Sequence, residues 1–320
     1  MTTRTERHSA QWEGDTMAVQ QRYPGIYAAM ATPLTAERQI DRDGVKRVVD
    51  HLLGAGIDGL SVLGSTGECN GLQRSQRQEL LHTVVEAAAG RRTVFAGAAG
   101  TVVADIVADL QAAGDSGAAG ALVPPPFYFP LSTAAVIDYY EYVAGESPLP
   151  LILYNIPRMT KVEIAVEAVE RLAQHPNILG IKDSSGNFGY FCQVARIGAS
   201  QPGFTVLTGS DGLLAPSLFA GGHGTIGAGV NVVPGLEAEL FAAYSAGDRE
   251  RALELQAQVA RAVAAAGIGV FPAGYKGALV VKGLCRPYMT WPIPALTDDE
   301  LATLRRRLQE AGVSGVLTIA

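Results

Sequence analysis

From Gly25 onward the chain repeats one pattern: a short apolar run, a turn, an amphipathic stretch, then Gly or Pro and the next apolar run. The strand candidates are residues 26–32, 59–64, 93–98, 121–124, 151–155, 179–182, 205–209 and 224–229. Helical stretches fall between them at 42–54, 74–89, 102–113, 134–144, 162–174, 188–199 and 213–220, with one more near 235–246. The early strands are continuous apolar runs. Strands buried on both faces read that way, which is the mark of a parallel sheet covered by helices. Eight β/α units in about 220 residues predict an α/β fold, the closed (β/α)8 TIM barrel. A doubly wound open sheet is the structural alternative. It normally carries a phosphate-binding Gly fingerprint, and the first βα turn, Thr32-Pro33-Leu34-Thr35, has none.

Past the eighth unit the chain stays helical, at 248–265, 272–284 and 297–311, the last opened by the capping box Thr297-Asp298-Asp299-Glu300. The expected division is a flexible N-terminal extension over 1–23, the barrel over 24–235, and a C-terminal helical region over 236–320 packed on the barrel. The extension is polar and lacks the apolar segment of a signal peptide.

Composition narrows the function classes. A formal net charge of -6 argues against a nucleic-acid partner. No apolar run reaches the roughly 18 residues that span a bilayer, so no membrane partner is expected. The three cysteines, Cys69, Cys192 and Cys285, are odd in number and far apart, which fits a reducing cytoplasm and no disulfide framework. None of the five histidines has a second ligand at metal spacing, so no metal is expected. There is no G-x-S-x-G elbow and no P-loop.

In a barrel of this kind the chemistry gathers where strands end. The sixth strand candidate, in Ile178-Leu179-Gly180-Ile181-Lys182-Asp183, runs apolar and then stops on Lys182, one of five lysines in the chain. A buried lysine is costly unless neutral or paired. It reads either as a strand-end amine that snorkels to solvent or as an amine of depressed pKa ready to attack a carbonyl. The fifth strand ends on Tyr154. Neighbouring strands lie about 4.8 Å apart, so the phenol reaches the region beside the Lys182 amine and can move protons there; an interior aromatic is the plainer reading. After the second strand, Gly64-Ser65-Thr66-Gly67-Glu68 offers backbone N–H groups and hydroxyls to a carboxylate, or is simply a capped tight loop. After the fourth, Pro124-Pro125-Pro126-Phe127-Tyr128-Phe129-Pro130 presents aromatics on a stiff segment.

Four segments together, Gly64-Ser65-Thr66-Gly67-Glu68, Tyr154-Asn155-Ile156-Pro157, Gly180-Ile181-Lys182-Asp183 and Gly221-Gly222-His223-Gly224, resemble the signature of the dihydrodipicolinate synthase / N-acetylneuraminate lyase family. The likeness runs from about Gly25 to Ala311. It implies a class I, Schiff-base enzyme acting on a 2-keto acid and an aldehyde, with no cofactor beyond the covalent imine, and a homotetramer built as a dimer of dimers. By position it implies that Lys182 forms the imine, Tyr154 transfers protons, Ser65 and Thr66 hold the keto-acid carboxylate, and Tyr128 crosses from a neighbouring subunit to complete a relay. Gly67 belongs to the same carboxylate loop, and Ile226 matches a position whose backbone faces the site.

The chain departs from the synthases after Tyr154-Asn155-Ile156-Pro157. Met159 stands in the slot of the arginine that binds the aldehyde's carboxylate, Lys161 replaces a glycine, and Arg158, one residue off, is expected to point elsewhere. Ser65 and the Ile-Pro-x-x-Thr pattern are similar to the lyases and sugar-acid aldolases, and Ser184 and Ser185 add hydroxyls suited to a polyol or hydroxy acid. The expected substrates are therefore 2-keto-3-deoxy sugar acids or 4-hydroxy-2-oxo acids. Dihydrodipicolinate synthesis from pyruvate and aspartate semialdehyde, a keto-deoxy sugar-acid dehydratase, and a non-catalytic 2-keto-acid-binding barrel stand as alternatives.

Overall fold

The computed structural model describes residues 23–316. Eight parallel strands close into a barrel in sequence order: β1 (Gly25–Ala29), β2 (Gly59–Val62), β3 (Thr93–Gly97), β4 (Gly120–Val123), β5 (Leu151–Asn155), β6 (Ile178–Asp183), β7 (Thr205–Thr208) and β8 (Gly224–Gly227), with β8 pairing β1. This is the TIM barrel expected from the apolar runs. Around it lie α1 (Arg42–Gly54), α2 (Arg74–Ala88), α3 (Val103–Asp115), α4 (Thr133–Glu146), α5 (Pro157–Thr160), α6 (Val166–Leu172), α7 (Phe188–Ser200), α8 (Leu214–Phe219) and α9 (Pro234–Ser245). Three C-terminal helices follow: α10 (Arg249–Ala265), α11 (Ala273–Val281) and α12 (Asp298–Glu310). The expected boundary between residues 235 and 236 falls in the first turn of α9. Of the expected N-terminal extension only Tyr23 lies within the described residues; its ring meets Phe95 edge-on at 5.3 Å and its N–H donates to Thr205 Oγ1 at 3.1 Å.

The strands are buried on both sides, which explains why they read as unbroken apolar runs. One set of side chains fills the barrel interior, among them Tyr27, Phe95, Leu122, Ile152, Leu179, Leu207 and Ile226. The other set, including Ile26, Leu60, Val94, Ala121, Leu151 and Val206, packs beneath the helices. The C-terminal helices close a second core around Ala262, Ala278, Leu304 and Leu308. Among the described residues no helix is long and apolar enough to cross a membrane.

The helix expected over 162–174 starts late. A separate turn, α5, precedes it and ends at Lys161 in the left-handed region (φ 61°), and α6 starts only at Val166. The break is held by side chains: the Asn155 amide oxygen accepts from the Ile164 N–H at 3.1 Å, and Thr160 Oγ1 donates to the Val162 carbonyl at 2.9 Å. These bonds satisfy backbone groups that a continuous helix would have used.

Candidate active site

A defect in β6 aims Lys182 into the barrel. Leu151 is level with Ile178, but the next residue, Ile152, is level with Gly180. Leu179 is therefore an extra residue, a bulge that resets the in–out alternation. After it Tyr154 and Lys182 sit side by side in register. With strict alternation from Leu179, Lys182 would face the helices instead. Its side chain is 4% exposed, and Nζ lies 4.3 Å from the centroid of the Tyr154 ring. The face of that ring favours a positive charge and offsets part of the cost of burying one.

Lys182 opens on a cavity of about 600 Å³ at the C-terminal ends of the strands. Thr66, Ser184, Asp211, Arg158 and Tyr275 supply its polar lining, and Gly209 forms part of the wall. A second cavity of about 210 Å³ shares Tyr154 and Ile156 with the first and is otherwise largely apolar, lined by Leu63, Leu122, Phe127 and Met159 among others. Ser65 and Thr66 part company here: Ser65 faces the apolar cavity, Thr66 the Lys182 cavity. The expected backbone nest is narrower than its glycines suggest, since the Gly67 and Glu68 N–H groups bond inside the loop to the Gly64 and Ser65 carbonyls.

Several expected residues stand away from the Lys182 cavity. Gly67 packs against the Met30 carbonyl and accepts from Thr32 Oγ1 at 2.7 Å, which fixes the loop. Ile226 is fully buried in the barrel interior. Met159 lines the apolar cavity. Tyr128 is 81% exposed, in the left-handed region, and belongs to a surface groove with Phe129, Tyr139 and Tyr142. Ser185 lines the Lys182 cavity, but its Oγ donates to Asp183 Oδ2 at 3.0 Å, so that hydroxyl is already engaged. Asp183 also accepts from Asn155 Nδ2 and the Ser185 N–H; burial raises its pKa and these bonds oppose the rise. Arg158 does not point elsewhere: it lines the Lys182 cavity, its guanidinium 5.8 Å from the Phe271 ring centroid.

Sequence reasoning passed over Asp211, Tyr275 and Glu237. Asp211 stands just past the end of β7, where strand-end logic should have found it. It is 5% exposed; burial raises its pKa, while the Gly229 N–H and then Glu237 hold it down, and the positive charge of Lys182 acts in the same direction. Glu237 is fully buried behind it on α9, and its pKa is raised well above the ordinary value by burial and then by the charge of Asp211. Cys69 is a buried thiol, pushed up to about 11 by burial. Among the described residues no group of three His, Cys, Asp or Glu side chains could hold a metal ion.

Comparison with known proteins places these features in a family. Residues 22–311 match the Dihydrodipicolinate synthetase family. An uncharacterized DapA-like lyase of Halobacterium salinarum is 34% identical over 289 residues, 90% of this chain and 94% of the relative. The 4-hydroxy-tetrahydrodipicolinate synthase of Methanosarcina mazei is 30% identical over 91% of this chain and 99% of its own. Among solved structures, the Escherichia coli prophage protein YagE, in complex with pyruvate, superposes with a TM-score of 0.87 at 31% identity, covering 91% of this chain and 99% of that one.

Proposed function

We propose that this chain, which belongs to the dihydrodipicolinate synthetase family and is a carbon–carbon lyase of the class I type, joins pyruvate to an aldehyde or releases it through an imine on Lys182. The observation that carries this reading is the Lys182 amine, buried against the Tyr154 ring and opening on a polar cavity at the strand ends. The amine attacks the keto carbon of pyruvate, the carbinolamine loses water, and a protonated imine remains. A methyl proton leaves, the enamine carbon bonds the aldehyde carbon, and hydrolysis returns the amine. Tyr154 carries protons to and from the carbinolamine oxygen. Thr66 receives the keto-acid carboxylate. Tyr128, too exposed to serve the Lys182 cavity of its own chain, acts across a contact with a second copy, as in a homotetramer.

For the aldehyde half, hydroxyl and carboxyl groups from Ser184, Tyr275 and Asp211 support a 2-keto-3-deoxy sugar acid or a 4-hydroxy-2-oxo acid. One observation favours a second reading, dihydrodipicolinate synthesis. Arg158 sets in the cavity the guanidinium that a second carboxylate needs, although the family slot holds Met159. A panel of aldehydes and sugar acids decides. Turnover is expected with hydroxylated substrates and negligible with pyruvate plus aspartate semialdehyde. Arg158→Ala is expected to raise KM roughly 10-fold or more for substrates with a second carboxylate, leaving neutral ones unchanged. Robust turnover of aspartate semialdehyde, lost in that variant, would move the assignment to the synthase.

Gly209 offers a sharper steric test. A methyl group there would overlap Ser184 Oγ and lie 2.8 Å from Lys182 Cε. Gly209→Ala is expected to displace the amine and lower kcat/KM about 10²-fold with the circular dichroism spectrum intact. Unchanged kinetics would mean that Lys182 does not react from this pose.

A further inference from the structure

The Lys182 cavity holds two bases and one acid. Lys182 and Arg158 line it, and Asp211 is the single carboxyl among the described residues of its wall. Behind Asp211, away from the cavity, stands Glu237, 0% exposed. Asp211 Oδ1 and both carboxyl oxygens of Glu237 are buried with no hydrogen-bond donor. Two carboxylates in contact cannot both stay ionised without a donor between them, and one shared proton removes the repulsion and provides that donor.

We infer that Glu237 is a positioning residue: it shares one proton with Asp211, and so keeps a single negative charge on the cavity wall facing Lys182, where that charge stabilises the protonated imine. This rests on the imine reading above and deepens it. The pair is held rigidly. The Asp211 carboxyl packs against the end of β8, where a methyl group at Gly227 would overlap Asp211 Oδ1, and against the turn beyond it, where one at Gly229 would lie 2.7 Å from Asp211 Cγ. Gln256, the uncharged contribution of α10, donates to the Asp211 carbonyl at 3.0 Å and accepts from the Ala215 N–H at 2.6 Å, which fixes the backbone that carries the acid. The other titratable groups facing the pair are Lys182 from β6 and Tyr275 from α11, with Arg158 from α5 beside Tyr275. Burial raises the Tyr275 phenol, and the charges of Asp211 and Glu237 raise it further, opposed by Arg158.

The sign follows from the protonation states. Both acids titrate above their ordinary ranges. At low pH the pair holds two protons and no charge, and the protonated imine loses its counter-charge. As pH rises one proton leaves, Asp211 becomes the carboxylate and Glu237 keeps the other proton. Support for the imine is therefore lost on the acid side. An amide at position 237 still donates to Asp211, whereas an apolar residue does not.

The experiment uses the full chain with pyruvate and cyanoborohydride, which survives mild acid, the trapped fraction being read by intact mass from mildly acidic to alkaline pH for wild type, Glu237→Gln, Glu237→Leu and Asp211→Asn. The acid limb of Glu237→Gln is expected to coincide with wild type, and that of Glu237→Leu to move up by about one pH unit or more, since the bond to the ionised form is gone. Asp211→Asn is expected to trap roughly tenfold more slowly above the acid limb and to converge with wild type on the acid side, where the pair is already neutral. A Glu237→Leu profile that superposes on wild type, or Asp211→Asn trapping at the wild-type rate above the acid limb, overturns the inference. If Glu237→Leu does not fold, the isosteric Asp211→Asn decides by itself. Wild type that gains no pyruvate mass at any pH removes the imine reading, and this inference with it; wild type that traps while the variants behave identically removes this inference alone.

Discussion

Lys182→Ala is expected to lower turnover by at least about 10⁴-fold, the scale of losing a covalent nucleophile, while the protein still folds. No other lysine is placed to substitute. Lys46 and Lys161 are exposed. Lys276 is buried in an ion pair with Glu68 and donates to the Tyr288 carbonyl. Lys282 is the serious competitor by chemistry, since burial pushes its pKa down to about 8. Yet its Nζ donates to the Val232 carbonyl at 2.6 Å, and it does not line the Lys182 cavity. The substitution also leaves the buried Asp211 carboxyl without the basic group it faces, so the melting temperature is expected to fall somewhat while the fold is kept. Steady-state kinetics beside a thermal melt separates the two effects. A variant that keeps more than a tenth of its activity would end the assignment.

Lys276→Met is expected to cost about 3–5 kcal/mol of stability, because it strands a buried charge. Lys276 and Glu68 are 1% and 0% exposed at the side chain, and their Nζ and Oε1 atoms lie 2.5 Å apart. Glu68 Oε2 also accepts from the Thr290 N–H at 2.6 Å and its Oγ1 at 2.9 Å. The pair ties the loop after β2 to α11 and to the segment beyond it, and the same loop carries Ser65 and Thr66. At roughly 2–4 °C per kcal/mol for a chain of 150 residues or more, the melting temperature should fall by about 10 °C. Lys276→Met combined with Glu68→Gln should recover part of the loss, since no unpaired charge remains. A single variant that melts within about 2 °C of wild type would show that the pair contributes little to stability.

The barrel was legible because burial on both faces leaves no polar alternation to confuse with an amphipathic strand. The pairing of Tyr154 with Lys182 was legible for a related reason: adjacent parallel strands end together, so strand-end residues become neighbours. The bulge at Leu179 was not, because the extra residue is apolar like those around it. Arg158 and Met159 exchanged expected places because both sit on a single helical turn, where consecutive residues point about 100° apart. Asp211 and Glu237 escaped because their contact joins a strand end to the helix after the next strand, and nothing local to either residue marks it. Ser65 and Thr66, adjacent in a tight loop, read as one carboxylate nest but face two cavities.

The most direct test is the mass of the intact protein after borohydride in the presence of pyruvate, followed by peptide mapping. The prediction is one adduct per chain, equal to pyruvic acid less one oxygen, on the peptide that contains Lys182 and absent from Lys182→Ala. No gain in mass, or an adduct that persists in that variant or maps to Lys282, would contradict it.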